Sequence, residues 1–374
     1  MKKVVSIVLN NFKNDSRVLK ENISLQKNGY TVKVVALWEE GLKEYETIQN
    51  IPVHRIKLKS KKWSKNRLIQ ILKYMECIYL ISKNYKNTDI LHCNDLNTLP
   101  IAYIVKKFYN KNIKVVYDAH EYETETNGLR GFQKRLVKFL ERRLIVYADK
   151  VICVSDMIAN EYEKLYNIEK PALVLNTPLY KQINKKDIFR EKFGIKKDKT
   201  IFLYQGSISR GRGVEIVLEC FKTMQKTEAV IVFMGYGELE EYVKEVASQE
   251  NNIYFHSAVE PDVLLDYTSS ADFGISTIED SCLSYRYCLP NKMFEYIMAD
   301  VPVIVSNLPE MSKVVQENGV GVILQENTPC GLQTAIEEAL VLDKDELYKN
   351  IQKAKEIYNW QEQEKVLLEV YKGI

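Results

Sequence analysis

Long apolar runs, closely paired cysteines and a metal-ligand pattern are missing from this chain, and no leader is expected. No apolar stretch approaches the ~20 residues of a bilayer span. Residues 4–9, behind Lys2 and Lys3, imitate a signal peptide. The stretch is short and ends in Asn10-Asn11 without a small-residue cleavage site, so a buried first strand is expected. The seven cysteines are scattered, with no closely spaced pair of metal-site type, and an odd number without a leader points to reduced thiols in a cytoplasm. His54, His92, His120 and His256 stand far apart, and no Asp-x-Asp pattern closes a strand. A metal-dependent reaction is therefore not expected. The excess of positive charge is only +3, too small to argue for nucleic acid. The turn after the first strand, residues 10–17, lacks the glycines of a dinucleotide fingerprint, which weakens a nicotinamide reading. Repeats of fixed period and low-complexity tracts are absent as well.

What is present fits a two-domain α/β enzyme. With 374 residues, 46% apolar and 28% charged, the chain is long enough for two sizeable cores. Near-continuous apolar runs at 4–9, 31–37, 113–117 and 150–154, then at 201–204, 229–234, 253–256, 273–276 and 301–305, read as strands buried on both faces. Amphipathic helical patterns lie between them, at 16–28, 156–166, 214–224 and 238–249, and that alternation predicts doubly wound parallel sheets. A short helix at 262–267 and helices at 330–342, 344–358 and 360–371 complete the second half. Asn176-Thr-Pro-Leu179 and the lysine-rich segment after it mark a boundary, giving domains 1–178 and 179–355 and a terminal helix, 356–374, laid across a neighbouring surface. Two such domains are expected to face a cleft at the C-terminal ends of their strands, where open α/β sheets bind ligands.

Three segments of the second half suit a ligand with an anion and a polyol side by side. Leu289-Pro290-Asn291-Lys292-Met-Phe-Glu295 reads as a loop entering a helix, with Pro290 in the first turn, open amides behind it, Lys292 beside them and a lone carboxylate one turn in. Glu295 cannot serve the same anion, so vicinal hydroxyls are its natural partner, and together these describe a nucleotide sugar. Gln205-Gly206-Ser207-Ile-Ser-Arg210-Gly-Arg212-Gly is a strand-to-helix turn whose glycines admit a diphosphate and whose arginines offer forked donors. Gly235-Tyr236 lies in a second glycine turn of the same type. In the first half, Tyr117-Asp-Ala-His120-Glu121 closes a strand, and His120 is suited to hydrogen-bond a sugar hydroxyl or move a proton. Asp15 is placed to cap a helix from Ser16, and His92-Cys-Asn-Asp95 reads as a turn or cap after residues 90–91.

In this order and spacing the motifs resemble the family-four retaining glycosyltransferases of the GT-B fold, over essentially the whole chain. Asn14-Asp-Ser-Arg-Val-Leu-Lys-Glu21 and residues 117–121 resemble a bacterial subgroup that builds surface polysaccharide. The resemblance implies two Rossmann-like domains, an acceptor-side first one and a nucleotide-sugar-binding second one, with the terminal helix crossing back to the first. It implies that Glu295 binds the ribose, that Ser257 and Val259 border the base, and that His120 meets the donor sugar near the reacting carbon. It also implies acceptor-side roles for Asn11, Asp15, Arg17 and Glu121. The chain departs from the family in two places. Tyr287 stands where the first of two glutamates is usual, and Ser207 where an arginine follows the loop glycine, while Arg212 keeps the second phosphate-binding position. Arg210 or Lys292 is expected to supply the missing charge.

The expected activity is metal-independent, retaining transfer of a hexose from a nucleoside diphosphate sugar, UDP-sugar favoured, to a glycan or lipid-linked glycan, with no cofactor. The catalytic group is expected to comprise His120, Arg212, Lys292 and Glu295. The alternatives are a non-catalytic partner subunit, motivated by Tyr287 and Ser207, and a sugar-nucleotide epimerase. Residues 130–143 carry Arg130, Lys134, Arg135, Lys138, Arg142 and Arg143 interleaved with apolar residues. This stretch suits either a solvated helix packed by its apolar face or a peripheral contact with the inner face of a membrane. No nucleic-acid partner is expected.

Overall fold

The computed structural model describes residues 1–224 and 228–374. The chain divides into two compact units, Met1–Val174 together with Glu364–Ile374, and Leu175–Gln363.

Unit 1 is built on eight strands: β1 (Lys3–Ile7), β2 (Thr31–Leu37), β3 (Tyr45–Ile48), β4 (Ile51–Ile56), β5 (Ile90–Asn94), β6 (Lys114–Ala119), β7 (Lys150–Cys153) and β8 (Ala172–Leu173). Their order is β3-β4-β2-β1-β5-β6-β7-β8. Five helices connect them: α1 (Ser16–Lys27), α2 (Arg67–Tyr85), α3 (Leu99–Ile104), α4 (Gly131–Leu144) and α5 (Asp156–Tyr166). The apolar runs pair in parallel as expected. The exception is the edge hairpin β3–β4, which is antiparallel and was not expected. Its two-residue turn, Gln49-Asn50, holds both residues at positive φ, 46° and 68°, the geometry that suits the twist of a tight hairpin. No glycine announces that turn. Within β4, Arg55 is buried and ion-paired to Glu46, so it is no part of a basic surface. β5 also runs further than expected. His92, Cys93 and Asn94 are strand residues buried in the sheet, because Asn94 donates to Ile7 O of β1 (3.0 Å) and takes part in the ladder with Asp118.

Unit 2 carries six parallel strands, β9 (Thr200–Ser207), β10 (Ala229–Tyr236), β11 (Ile253–Ser257), β12 (Phe273–Ser276), β13 (Val303–Ser306) and β14 (Gly321–Leu324), in the order β11-β10-β9-β12-β13-β14. Around them lie α6 (Ile188–Phe193), α7 (Val214–Thr223), α8 (Glu240–Gln249), α9 (Leu264–Thr268), α10 (Leu283–Arg286), α11 (Asn291–Met298), α12 (Pro309–Asn318), α13 (Pro329–Leu340) and α14 (Lys344–Ile357). Phe202 and Phe273 stack at 5.3 Å in its core, and each such buried ring contributes about 1.5–3 kcal/mol. Because every strand is parallel, all six C-terminal ends share one edge of the sheet.

The last helix, α15 (Trp360–Lys372), returns the chain to unit 1, as the family resemblance implied. Tyr371 is the anchor: its hydroxyl lies 2.6 Å from His92 Nδ1, and its ring meets Tyr30 edge-on at 5.4 Å. No helix among the described residues is long and apolar enough to cross a membrane.

Candidate functional site

The sheet register of unit 2 builds the site. Gly206 of β9, Gly235 of β10 and Ser257 of β11 are direct neighbours in one row at the C-terminal edge. Gly206 takes φ +97°, and a Cβ on Gly235 would overlap the Gly206 carbonyl, so only glycine permits this close approach. The result is an open shelf on which Gly206, Ser207, Tyr236 and Ser257 are exposed. Val259 follows on the loop after β11 and is partly exposed.

Two cations border the shelf. Lys292, in the first turn of α11, is only 9% exposed, and its ammonium stands 3.7 Å over the ring of Tyr204. Its Cε lies 3.9 Å from where a Gly206 Cβ would be. Arg212 lays its guanidinium over the ring of Tyr285 at 4.6 Å. The Tyr204 hydroxyl ties the loop together, 3.0 Å from Ser207 O and 3.1 Å from Arg212 O. Among the described residues neither cation has an ion-pair partner. Burial pushes the Lys292 amine down to about 7, Arg212 adds repulsion, and Glu295 offsets only part of this. Two cationic side chains set this close, one of them pushed toward losing its proton, are arranged for an anion that arrives from outside.

Glu295 sits one turn further along α11, partly exposed, and accepts from Gln205 Nε2 at 2.6 Å. Gln205 is itself buried and accepts from Thr268 Oγ1 at 2.8 Å, so its amide is fixed at both ends. Sequence reasoning passed over Gln205, although its place immediately before the loop glycine was a usable signal. Pro290 is the N-cap of α11, one position ahead of the expected first turn, with Leu289 and Asn291 on either side. Tyr287 closes α10 and is partly exposed. Arg210 is 76% exposed, and Glu238 accepts from its amide and stands 4.0 Å from its guanidinium. Of the two substitutes for the missing family arginine, Lys292 is the one that stands against Gly206.

Unit 1 gathers a second, buried cluster at the ends of β5 and β6. Arg17 lies inside it, donating to Asp118 through two nitrogens at 2.9–3.1 Å and to Val174 O at 2.9 Å, with Glu21 at 3.1 Å. It is an internal strut with no solvent-facing end, since its guanidinium is spent on these partners. His120, 20% exposed, places Nε2 3.2 Å from Asp118 and Nδ1 3.3 Å from Asp95. Burial disfavours its charge, but Asp118 outweighs that and, with Asp95, holds the imidazole up at about 9. At neutral pH it is therefore an imidazolium, a hydrogen-bond donor and not a base. His92 and His120, distant in sequence, meet around Asp118 (3.6 Å and 3.2 Å). Asp15 caps α1 by accepting from Val18 N, and its other oxygen accepts from Asn10. Asn11 donates to Glu39 and offers its carbonyl to Arg55. Glu121 is exposed, whereas Glu123, two residues on, is the carboxyl that interacts with Asp95 and His120. Burial first, then Asp95, raises it well above the usual carboxylate range.

Glu21, His92 and Asp118 lie close enough to hold a metal. They do not fit that use, because Arg17 already sits between the two carboxylates and supplies the charge a cation would. Burial and the neighbouring Asp118 also raise the Glu21 carboxyl well above its ordinary value, which favours the protonated form.

Two family models match the chain in succession, Glycosyltransferase Family 4 over residues 23–177 and Glycosyl transferases group 1 over residues 185–357. An uncharacterised glycosyltransferase of Methanocaldococcus jannaschii is 22% identical over 93% of this chain and 91% of its own. Among solved structures, sucrose-phosphate synthase from Thermosynechococcus elongatus superposes with a TM-score of 0.81 at 15% identity, covering 100% of this chain and 98% of its own. HepE of Anabaena, in complex with UDP-glucose, superposes with a TM-score of 0.76 at 13% identity, covering 100% of both chains.

Proposed function

Since this chain is a glycosyltransferase of the GT-B fold, we propose that it moves a hexose from a UDP-sugar to a hydroxyl acceptor, with retention and without a metal. The observation that carries the reading is the pair of unneutralised cations, Lys292 and Arg212, beside the Gly206 shelf, with the Gln205-held Glu295 next to them. The UDP-glucose held by HepE supports a uridine donor. The bond that breaks joins the anomeric carbon to a diphosphate oxygen, so negative charge grows on the leaving group as the sugar becomes oxocarbenium-like. Arg212, Lys292 and the backbone at Gly206–Ser207 and after Pro290 meet that growing charge. Glu295 receives the ribose hydroxyls, and Ser257 and Val259 border the base. His120, as a donor, orients the sugar. The departing diphosphate takes the acceptor's proton, so no protein base is required. The acceptor is a glycan or lipid-linked glycan of a surface polysaccharide, and the basic α4 is in keeping with one carried at the cytoplasmic face of a membrane.

Calorimetric titration with UDP, GDP, CDP and NAD, in chelator throughout, tests this. Micromolar binding of UDP alone is the expected result. Binding that requires a divalent ion, or NAD as the one ligand, would overturn it, and UDP binding without turnover on any acceptor would favour a non-catalytic subunit. Glu295→Ala is expected to weaken UDP about 10–100-fold and to raise KM with kcat little changed, because a ribose contact is the same in ground and transition states. Unchanged affinity would move the ribose site elsewhere. Gln205→Leu should reproduce part of that loss by freeing the Glu295 carboxylate.

A further inference from the structure

Most apolar side chains on helices of this size find a core, yet α2 and α4 turn theirs to solvent. On α2, Leu68 is 72% exposed, and Ile71, Leu72, Met75 and Tyr79 continue the stripe at helical spacing. On α4, Phe132 is 79% exposed, followed by Leu136, Phe139 and Leu140. The packed-helix reading of α4 therefore fails: its apolar face is the uncovered one. The crossovers β4–α2–β5, β5–α3–β6 and β6–α4–β7 all step the same way along the sheet. Right-handed connection places the three helices on one face, and α3 packs against both of the others. The two stripes thus belong to one continuous surface of unit 1.

Its charge is one-sided. Lys62, Lys65 and Arg67 stand exposed where α2 begins, and Arg135, Arg142 and Arg143 stand exposed on α4. Each helix has a single acid, and neither is available. Glu76 accepts from the amides of Lys59 and Ser60, and Glu141 is buried beneath the hydroxyls of Tyr117, Tyr162 and Tyr166. Two of the six cations expected to act here do not. Lys134 and Lys138 are both spent on Glu125.

We propose that the α2–α4 surface seats unit 1 on an anionic lipid bilayer, its apolar stripes entering the headgroup boundary and its arginines and lysines meeting lipid phosphates. The charge pattern selects this occupant. A second copy docked through the same face would set like-charged rims against each other, and a nucleic acid would leave the apolar centre uncovered. The inference deepens the lipid-linked acceptor reading, but it stands on its own geometry and needs no donor.

Co-sedimentation of the full chain with vesicles tests it, using phosphatidylcholine alone or with about a third phosphatidylglycerol. Binding is expected only to the anionic vesicles and should fall steeply with salt, as screening shortens from about 10 Å at 0.1 M to about 3 Å at 1 M. The triple substitution Arg135→Ser, Arg142→Ser and Arg143→Ser should weaken it on the order of a hundredfold. Leu72→Ser with Phe139→Ser should abolish it, and these exposed changes leave the folded core untouched. UDP titration of the same variants should be unaltered, so loss of vesicle binding with an intact donor site separates this inference from the catalytic one. Equal binding to both vesicles, binding indifferent to the substitutions, or micromolar self-association removed by them would each overturn it.

Discussion

Arg212→Ala is expected to lower kcat by about 100–1000-fold while the thermal unfolding transition stays where it is. The guanidinium leans on Tyr285 and, among the described residues, holds no carboxylate, so its removal strands no buried charge. The loop keeps its shape because Tyr204 grips the backbone carbonyl at 212, not the side chain. The loss should appear in kcat more than in KM, since charge on the leaving diphosphate is greatest in the transition state. Arg212→Lys should restore only part of the rate, keeping the charge but losing the fork that fits two phosphate oxygens. Steady-state release of UDP, beside a melting curve, reads both quantities. A variant with near-wild-type kcat would remove Arg212 from the phosphate site.

Lys292 should make donor binding pH-dependent in a particular direction. Burial, then the Arg212 charge, brings the free amine to about 7, so near neutrality half of the molecules lack the proton. A diphosphate on the Gly206 shelf favours the ammonium, and binding above pH 7 must therefore take up a proton. UDP affinity is expected to fall by up to about tenfold per pH unit above neutrality. Below about pH 6 it should weaken again as the terminal phosphate of UDP is protonated. Calorimetry at pH 8 in two buffers of different ionisation enthalpy counts the proton directly. Lys292→Met, similar in volume and uncharged, should lower the affinity at pH 6.5 and flatten the limb above pH 7. An affinity already flat between pH 7 and 9 in the unaltered protein would mean that the ammonium does not meet the phosphate.

Much of this was legible in the residues, and for a physical reason. Strands buried on both faces must be apolar along their whole length, so β1, β2, β6, β7 and most strands of unit 2 announced themselves. Helices that cover a sheet must be amphipathic, which placed α5 at its observed bounds and α1, α7 and α14 within a residue at their ends. The hairpin β3–β4 escaped because Gln49 and Asn50 adopt positive φ without a glycine to signal it. β5 was cut short because His92 and Asn94 look like loop residues. In the sheet the Tyr371 hydroxyl, from the far end of the chain, meets Nδ1 of His92, and Ile7 O accepts from the Asn94 amide.

The sequence by itself determined the architecture and the kinds of group at the proposed donor site: glycines before a helix, Lys292 and Glu295 one turn apart, and a spare arginine in the loop. Those are local facts, set by spacing along one helix or one turn. Which cation stands beside the glycine shelf was decided only in three dimensions. The register of β9, β10 and β11 forms the shelf and α11 brings Lys292 against it, while Arg210 stands exposed beside Glu238. Likewise Arg17 and Lys134 look alike as surface charges until Asp118 and Glu125 are found beside them. A charge acts through what surrounds it, and the fold sets those surroundings: Asp118 lies 101 positions from Arg17, and Glu125 folds back on Lys134 from an adjoining loop.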